Sequence, residues 1–149
     1  MYRGVTYLSL DDKGRFSIPV RYREEVLAEC EGKLIITVDL DKCLLIYPFP
    51  QWESIERALM ARPNMDRQVR ALQRLLLGHA TECEMSAQGR ISVSPSLRRF
   101  AELDKEITLV GQGNKFELWN AALWQRNCDE LLSEGGLENL SEALGSLSL

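Results

Sequence analysis

The sequence predicts an α+β fold built from two related tandem units, on the strength of three observations. One pattern occurs twice: Tyr7–Pro19 is echoed by Cys83–Pro95, so that Gly14 matches Gly89, Arg15 matches Arg90, Ile18 matches Val93 and Arg23 matches Arg98, all 75 positions apart. The echo continues downstream at an offset of 72, where Ile35–Val38 aligns with Ile107–Val110, Tyr47 with Trp119 and Trp52 with Trp124. Finally, β-branched and aromatic runs alternate with short helical segments in each copy. The 149 residues suit two half-sized units sharing one core, because a unit of some 50 residues alone buries too little surface. Such sharing gives pseudo-twofold symmetry within the chain.

Residues 5–19 are expected to form a hairpin, with two strand-like stretches flanking Asp11-Asp12-Lys13-Gly14. An Asp can bond its own backbone in a turn, and a Gly accepts positive φ. Pro19 suits a helix start, and Arg21–Cys30 reads as a short helix closed by Gly32. Leu34–Val38 and Cys43–Tyr47 form a second hairpin, apolar nearly throughout and so buried on two faces. Pro48 and Pro50 end it. Trp52–Ala61 reads as a helix stopped by Pro63, and Asn64 is the expected cap of the next, Met65–Leu77, ended by Gly78. The second copy supplies hairpin 80–94, helix 96–102, hairpin 106–119 and a helix from Ala121 to about Leu132, which Gly135-Gly136 breaks. The domain boundaries are accordingly 1–52 for the first unit, 53–79 for a helical linker, 80–126 for the second unit and 127–149 for an acidic tail of marginal helix or disorder.

Composition excludes several classes. No run of 18 uncharged apolar residues exists, so no transmembrane helix is expected, and the N-terminus does not read as a signal peptide, which makes the cytoplasm the default. Cys30, Cys43, Cys83 and Cys128 are far apart and form no zinc spacing; reduced structural thiols are expected, with no metal and no cofactor. The formal net charge of −4 argues at first against nucleic acid, but its distribution reverses that. From Asn127 onward there are five acidic residues and no Lys or Arg, which leaves 18 basic against 17 acidic residues elsewhere. Residues 1–23 hold Arg3, Lys13, Arg15, Arg21 and Arg23 against two acids. A partner meets one face, so local sign decides.

The turn between the first two strands concentrates chemistry. Arg15 offers a planar fork matching guanine O6 and N7, and a two-stranded β-ribbon fits the major groove. Lys13 suits a phosphate as a point charge. Asp11 can hold the Arg15 guanidinium in one rotamer. The second turn keeps Arg90 but carries Ser86 in place of Asp11 and Gln88 in place of Lys13, so the first is expected to bind more strongly. Arg98 and Arg99 meet phosphate or pair with Glu102. The stripe Arg67, Arg70, Arg74 is a solvated or subunit-contact face, and His79 a structural group.

Several segments together resemble one family. Tyr2-Arg3-Gly4, Asp11-x-Lys13-Gly14-Arg15, Pro19-x-Arg21-Tyr22-Arg23, Gln73–Ala80 and Val110–Trp119 look like MraZ, the bacterial transcriptional regulators associated with the division and cell-wall gene cluster. The resemblance covers residues 1 to about 126. It implies tandem AbrB-like swapped-hairpin units forming one pseudo-twofold β-barrel-like core with flanking helices. It further implies a ring-shaped homo-oligomer, commonly an octamer, that represses its operon from short G-rich direct repeats and associates with the nucleoid. The family's D-x-x-x-R element falls on Asp11 and Arg15; Arg90 alone matches in the second unit. The candidate DNA contacts are Arg3, Asp11, Lys13, Gly14, Arg15, Arg21 and Arg23 in the first unit and Gly89, Arg90 and Arg98 in the second. Double-stranded DNA and further copies of the chain are the expected partners, with no membrane and no small-molecule substrate.

Two rival functions compete. An antitoxin-like AbrB-fold module would capture a protein with its acidic tail, but two units and a short tail disfavour it. An enzyme is disfavoured by a single histidine, no Gly-rich phosphate loop and no placeable nucleophile–base pair.

Overall fold

The computed structural model describes residues 1–145 and 147, along which run eight strands and six helices. In order these are β1 (Tyr2–Ser9), β2 (Arg15–Ser17), α1 (Val20–Cys30), β3 (Lys33–Val38), β4 (Leu44–Pro48), α2 (Phe49–Ala61) and α3 (Arg67–His79), then β5 (Thr81–Glu84), β6 (Arg90–Ser92), α4 (Pro95–Phe100), β7 (Glu106–Gly113), β8 (Phe116–Asn120), α5 (Ala121–Leu131) and α6 (Glu134–Ala143).

The strands pair across the two units. A six-stranded sheet runs β1-β7-β8-β4-β3-β5, and β2 and β6 form a separate two-stranded ribbon. Thus β1 of the first unit ladders with β7 of the second, and β5 of the second with β3 of the first, all antiparallel. The expected hairpins β3–β4 and β7–β8 form, whereas those at 5–19 and 80–94 do not. The turn at Asp11–Gly14 forms, but its arms part: β1 joins the large sheet and β2 joins β6. The same holds for β5 and β6 in the second copy. A short-range turn signal is identical whether its arms pair with each other or with a second hairpin; burial decides, and crossing buries both units' apolar strands in one core.

The ladders also correct one register. Ile36 pairs with Ile46, and Leu109 with Leu118. Leu34 therefore corresponds to Ile107 and Ile36 to Leu109, 73 positions apart rather than 72. A one-residue shift changes the face of every side chain, and faces confirm the new register. Leu34, Ile36, Ile107 and Leu109 all enter the main core, whereas Ile35 packs under α2. The Tyr47–Trp119 and Trp52–Trp124 correspondences hold: Tyr47 and Trp52 rings lie 5.9 Å apart, those of Trp119 and Trp124 5.7 Å apart.

One core joins both units. Phe16, Ile18, Leu34 and Ile36 pack with Ile91, Val93, Ile107 and Leu109. Satellite clusters lie under α2 and α3, around Trp52, and beside α5, around Trp119.

Helix boundaries need four corrections. α2 starts at Phe49, with Pro48 as its N-cap residue and Pro50 inside the first turn, where a missing N–H costs nothing. Asp66, not Asn64, caps α3, accepting from the Gln68 N–H at 2.8 Å. Both residue types cap well; the choice falls to Asp66 because Arg70 Nη1 bonds the Asn64 and Met65 carbonyls and fixes the preceding chain. Arg70 is thereby half-buried, while Arg67 and Arg74 of the same stripe are exposed. α3 runs through Gly78 to His79, whose Nδ1 lies 2.8 Å from the Leu75 carbonyl oxygen and whose ring packs on Phe100. Gly135 and Gly136 lie within the first turn of α6, where Ser133 Oγ accepts from the Gly136 N–H. Of the two readings of the tail, helix or disorder, the structure has helix over Glu134–Ala143; its last positions, 146, 148 and 149, lie outside the described residues.

Candidate nucleic-acid interface

The ribbon of β2 and β6 is where the predicted tips meet. Its register is Arg15↔Ser92, Phe16↔Ile91, Ser17↔Arg90. Strand side chains alternate between faces. Phe16 and Ile91 are buried, at 3% and 1% exposure, so they point inward. Arg15, Ser17, Arg90 and Ser92 therefore share the outward face. Burying each inward side chain contributes about 1.5–3 kcal/mol, which pins the ribbon to the core. The ladder extends at both ends, with Val93 N–H donating to the Gly14 carbonyl at 2.8 Å and Ile18 N–H to that of Gly89 at 2.7 Å. A tip thus sits at each end, related by a pseudo-twofold axis through Phe16 and Ile91.

Arg15 and Arg90 are diagonal neighbours on this face, with Cα atoms roughly 7–8 Å apart. That is about two base-pair steps at 3.4 Å each. Sequence reasoning treated the tips as two separate elements and missed both this composite face and the hydroxyls of Ser17 and Ser92 on it. The available signal was the alternation Arg-Phe-Ser and Arg-Ile-Ser, a strand pattern with one buried position between two outward ones.

The first tip is held by one carboxylate. Asp11 Oδ1 accepts the backbone N–H of Lys13 at 3.0 Å and of Arg15 at 2.8 Å, and Oδ2 accepts Arg15 Nε–H at 2.9 Å. Gly14, at φ +77°, closes the turn by donating to the Asp11 carbonyl. Because Nε is committed to Asp11, the two Nη groups of Arg15 form the edge left for a bidentate acceptor. The Asp11 carboxyl is held below its ordinary range, first by the Arg15 backbone N–H it accepts and further by the Arg15 guanidinium and the Lys13 N–H. A lowered acid contributes order above its ordinary pKa and loses it as pH falls through the lowered value. Acidification below about pH 4 is expected to move the Lys13 and Arg15 amide resonances and leave that of Arg90 in place. A titration in which all three move together contradicts this.

The second tip has the same backbone and a weaker hold. Ser86 Oγ accepts only the Arg90 N–H, at 3.0 Å, and Gly89 repeats φ +77°. Among the described residues, Arg90 has no side-chain partner and neither Arg98 nor Arg99 is ion-paired with Glu102.

The remaining predicted contacts divide. Arg23 lies over Gly89 and Arg98 over Gly14, each on the opposite unit's tip. Arg21 is tied elsewhere, bonding Thr6 Oγ1 and Tyr22 OH and covering the Tyr22 ring at 4.5 Å. Arg3 stands near the far end of β1, roughly 20 Å of extended strand from Ser9. The structure therefore brings Asp11, Lys13, Gly14, Arg15, Arg23, Gly89, Arg90 and Arg98 to the ribbon and leaves Arg3 and Arg21 apart.

One group of metal-type donors exists among the described residues: Asp39, Cys43 and Glu117, with ligand atoms within 4.8 Å of one another. It is internally satisfied. The Cys43 thiol, pushed up by burial and so protonated, donates to Asp39 at 3.6 Å, and Trp119 Nε1 donates to Glu117 at 3.0 Å. No described helix is long and apolar enough to cross a membrane.

Comparison with known proteins adds the family. A family model described as "MraZ protein, putative antitoxin-like" matches residues 1–75 and again 76–145. The chain is 59% identical over 150 residues to the transcriptional regulator MraZ of Thioalkalivibrio sulfidiphilus, covering all of both proteins. It is 52% identical over 151 residues to that of Methylococcus capsulatus, covering 99% of each. For the Hydrogenovibrio crunogenus protein of the same name, identity is 50% over 149 residues, 99% of this chain and 98% of the relative. With the internal echo and the ribbon geometry, these matches show that the chain belongs to the MraZ family.

Proposed function

We propose that this protein is a sequence-specific DNA-binding transcriptional regulator that inserts the outward face of its β2–β6 ribbon into the major groove. Support comes first from the relatives, which are named transcriptional regulators. The observation that carries the site is that Arg15 and Arg90 are diagonal neighbours on one outward face, with Arg15 Nε held by Asp11. A guanidinium fixed through Nε loses little entropy when its Nη edge meets guanine O6 and N7. Lys13 takes a flanking phosphate, and Gly14 and Gly89 let the backbone turn at each end. Arg3, Arg21, Arg23 and Arg98 add positive potential without reading bases.

One ribbon offers few phosphate contacts, so a single chain binds weakly. We infer a closed homo-oligomeric ring that presents many ribbons to short G-rich direct repeats upstream of the protein's own gene, repressing the division and cell-wall cluster from the nucleoid. Multiplying tips raises effective concentration. The exposed Val5 and Tyr7 on edge strand β1 support a contact between copies. The crossed pairings of β1 with β7, β5 with β3 and β2 with β6 support swapped hairpins around one pseudo-twofold, barrel-like core. The proposed units remain 1–52, 53–79, 80–126 and 127–149, with the first boundary falling inside α2 and the last inside α5.

A mobility-shift titration at matched salt tests the proposal. The promoter fragment is expected to bind more tightly than random duplex, and equal affinity refutes it. Arg90→Ala is expected to weaken promoter binding by about 1–2 kcal/mol, less than Arg15→Ala, because Arg90 enters the complex without a carboxylate to hold it. Equal losses contradict the asymmetry.

A further inference from the structure

The two tips are held by different means. Asp11 grips the first from within, contacting its backbone and its guanidinium. Ser86 reaches only one backbone N–H of the second. A side chain from the other unit lies against that second tip. The Arg23 stem covers Gly89 so closely that an added Cβ would stand 2.0 Å from Nε and 2.6 Å from Cδ. Arg23 Nε in turn donates to the Ile18 carbonyl at 2.7 Å, and Ile18 N–H donates to the Gly89 carbonyl at 2.7 Å. Arg23, Ile18 and Gly89 thus form a closed loop of contacts. On the first tip, the equivalent Arg98 covers Gly14 in the same way, but its Nε is buried without a hydrogen-bond partner. The bonded crossing arginine therefore goes with the tip that lacks a carboxylate.

We propose that Arg23 is a positioning residue for the second tip, supplying from the first unit the hold that Ser86 does not give and so fixing how Arg90 is presented. Its effect on DNA rests on the function proposed above; its effect on the tip does not. Arg23 was expected from the sequence to be a DNA contact, and its inward Nε assigns it a different task. A charged donor bonded to a carbonyl is among the stronger hydrogen bonds. Lysine keeps the charge and the stem but has no Nε donor fork with which to close the loop.

The test compares Arg23→Lys, Arg23→Met and the double variant Arg23→Lys/Ser86→Asp with the unsubstituted chain, after thermal melts confirm folding. Amide exchange is read without DNA. In Arg23→Lys, the amides of Gly89 and Arg90 are expected to exchange roughly tenfold faster, the scale of one charge-assisted hydrogen bond, with those of Gly14 and Arg15 unchanged. Ser86→Asp is expected to restore slow exchange at Arg90. Unchanged exchange at Gly89 and Arg90, or no restoration, overturns the assignment even if the protein binds no duplex. On promoter DNA, both single variants are expected to lower the promoter-to-random affinity ratio while keeping the salt slope. A slope smaller by about 0.9 in Arg23→Met is the signature of a lost phosphate contact and overturns the positioning role.

Discussion

Arg15→Ala is expected to abolish promoter-specific binding while the fold and any assembly of copies persist. A bidentate arginine–guanine pair is worth about 1–3 kcal/mol of discrimination. Two ribbons engaged on adjacent repeats lose about 2–6 kcal/mol together, or roughly thirty-fold to twenty-thousand-fold in affinity. The residual binding should match that to random duplex, because Lys13 still attracts phosphate. Stability should change by no more than about 0.5 kcal/mol. Arg15 and Asp11 form a half-exposed pair whose side chains are 36% and 41% accessible, and such pairs contribute little to folding. A mobility-shift titration with an unchanged thermal melt checks both halves. Retained promoter preference at matched salt removes Arg15 from the interface and, with it, the function proposed for the ribbon.

The sequence displayed the parts of this site but not their arrangement. The Gly14–Gly89 and Arg15–Arg90 correspondences lie in the chain itself, since each turn needs positive φ at the same step. Asp11 and Ser86 could be contrasted because a carboxylate has an oxygen to spare for a guanidinium and a hydroxyl does not. Hidden was the partner of each strand. β2 and β6 have only three residues each, too few to announce a pairing. What unites them is mutual burial of Phe16 against Ile91, a contact between residues 75 positions apart. The crossing of Arg23 and Arg98 onto the opposite tips follows from that pairing and has no local signal.

The one-residue error in aligning β3 with β7 has a similar origin. Both strands are apolar at nearly every position, so hydrophobicity alone does not set parity. Cross-strand partners do, and those are nonlocal. Helix ends were misplaced where two good caps competed, as at Asn64 and Asp66. Gly78 misled for a different reason: it has no neighbour within 4 Å that demands glycine, and the helix passes through it to place His79 against Phe100.

Gly14, unlike Gly78, stands where both the backbone and its neighbours demand glycine. Gly14→Ala is expected to lose both stability and specific binding. At φ +77° an L-residue costs about 1–2 kcal/mol. The added Cβ would also stand 2.8 Å from the Val93 carbonyl oxygen and 2.6 Å from Arg98 Nε. An arginine end can swing away. The Val93 backbone cannot move alone, because its N–H bonds the Gly14 carbonyl at 2.8 Å and closes the ribbon at that end. Relief therefore opens the ladder between β2 and β6, for a further cost of about 1–3 kcal/mol. The total of about 2–5 kcal/mol corresponds to a fall of roughly 4–20 °C in Tm for a chain of this size. Opening the ladder also separates Arg15 from Arg90, so specific affinity should drop beyond what reduced stability explains, measured at a temperature where the variant is folded. Gly78→Ala supplies the comparison: in a helix with open space around it, alanine should stabilise by about 0.5–1 kcal/mol and leave binding unchanged. A Gly14→Ala protein that melts and binds like the parent would mean that the ribbon tolerates a side chain at its end, and the shared face of Arg15 and Arg90 would lose its structural basis.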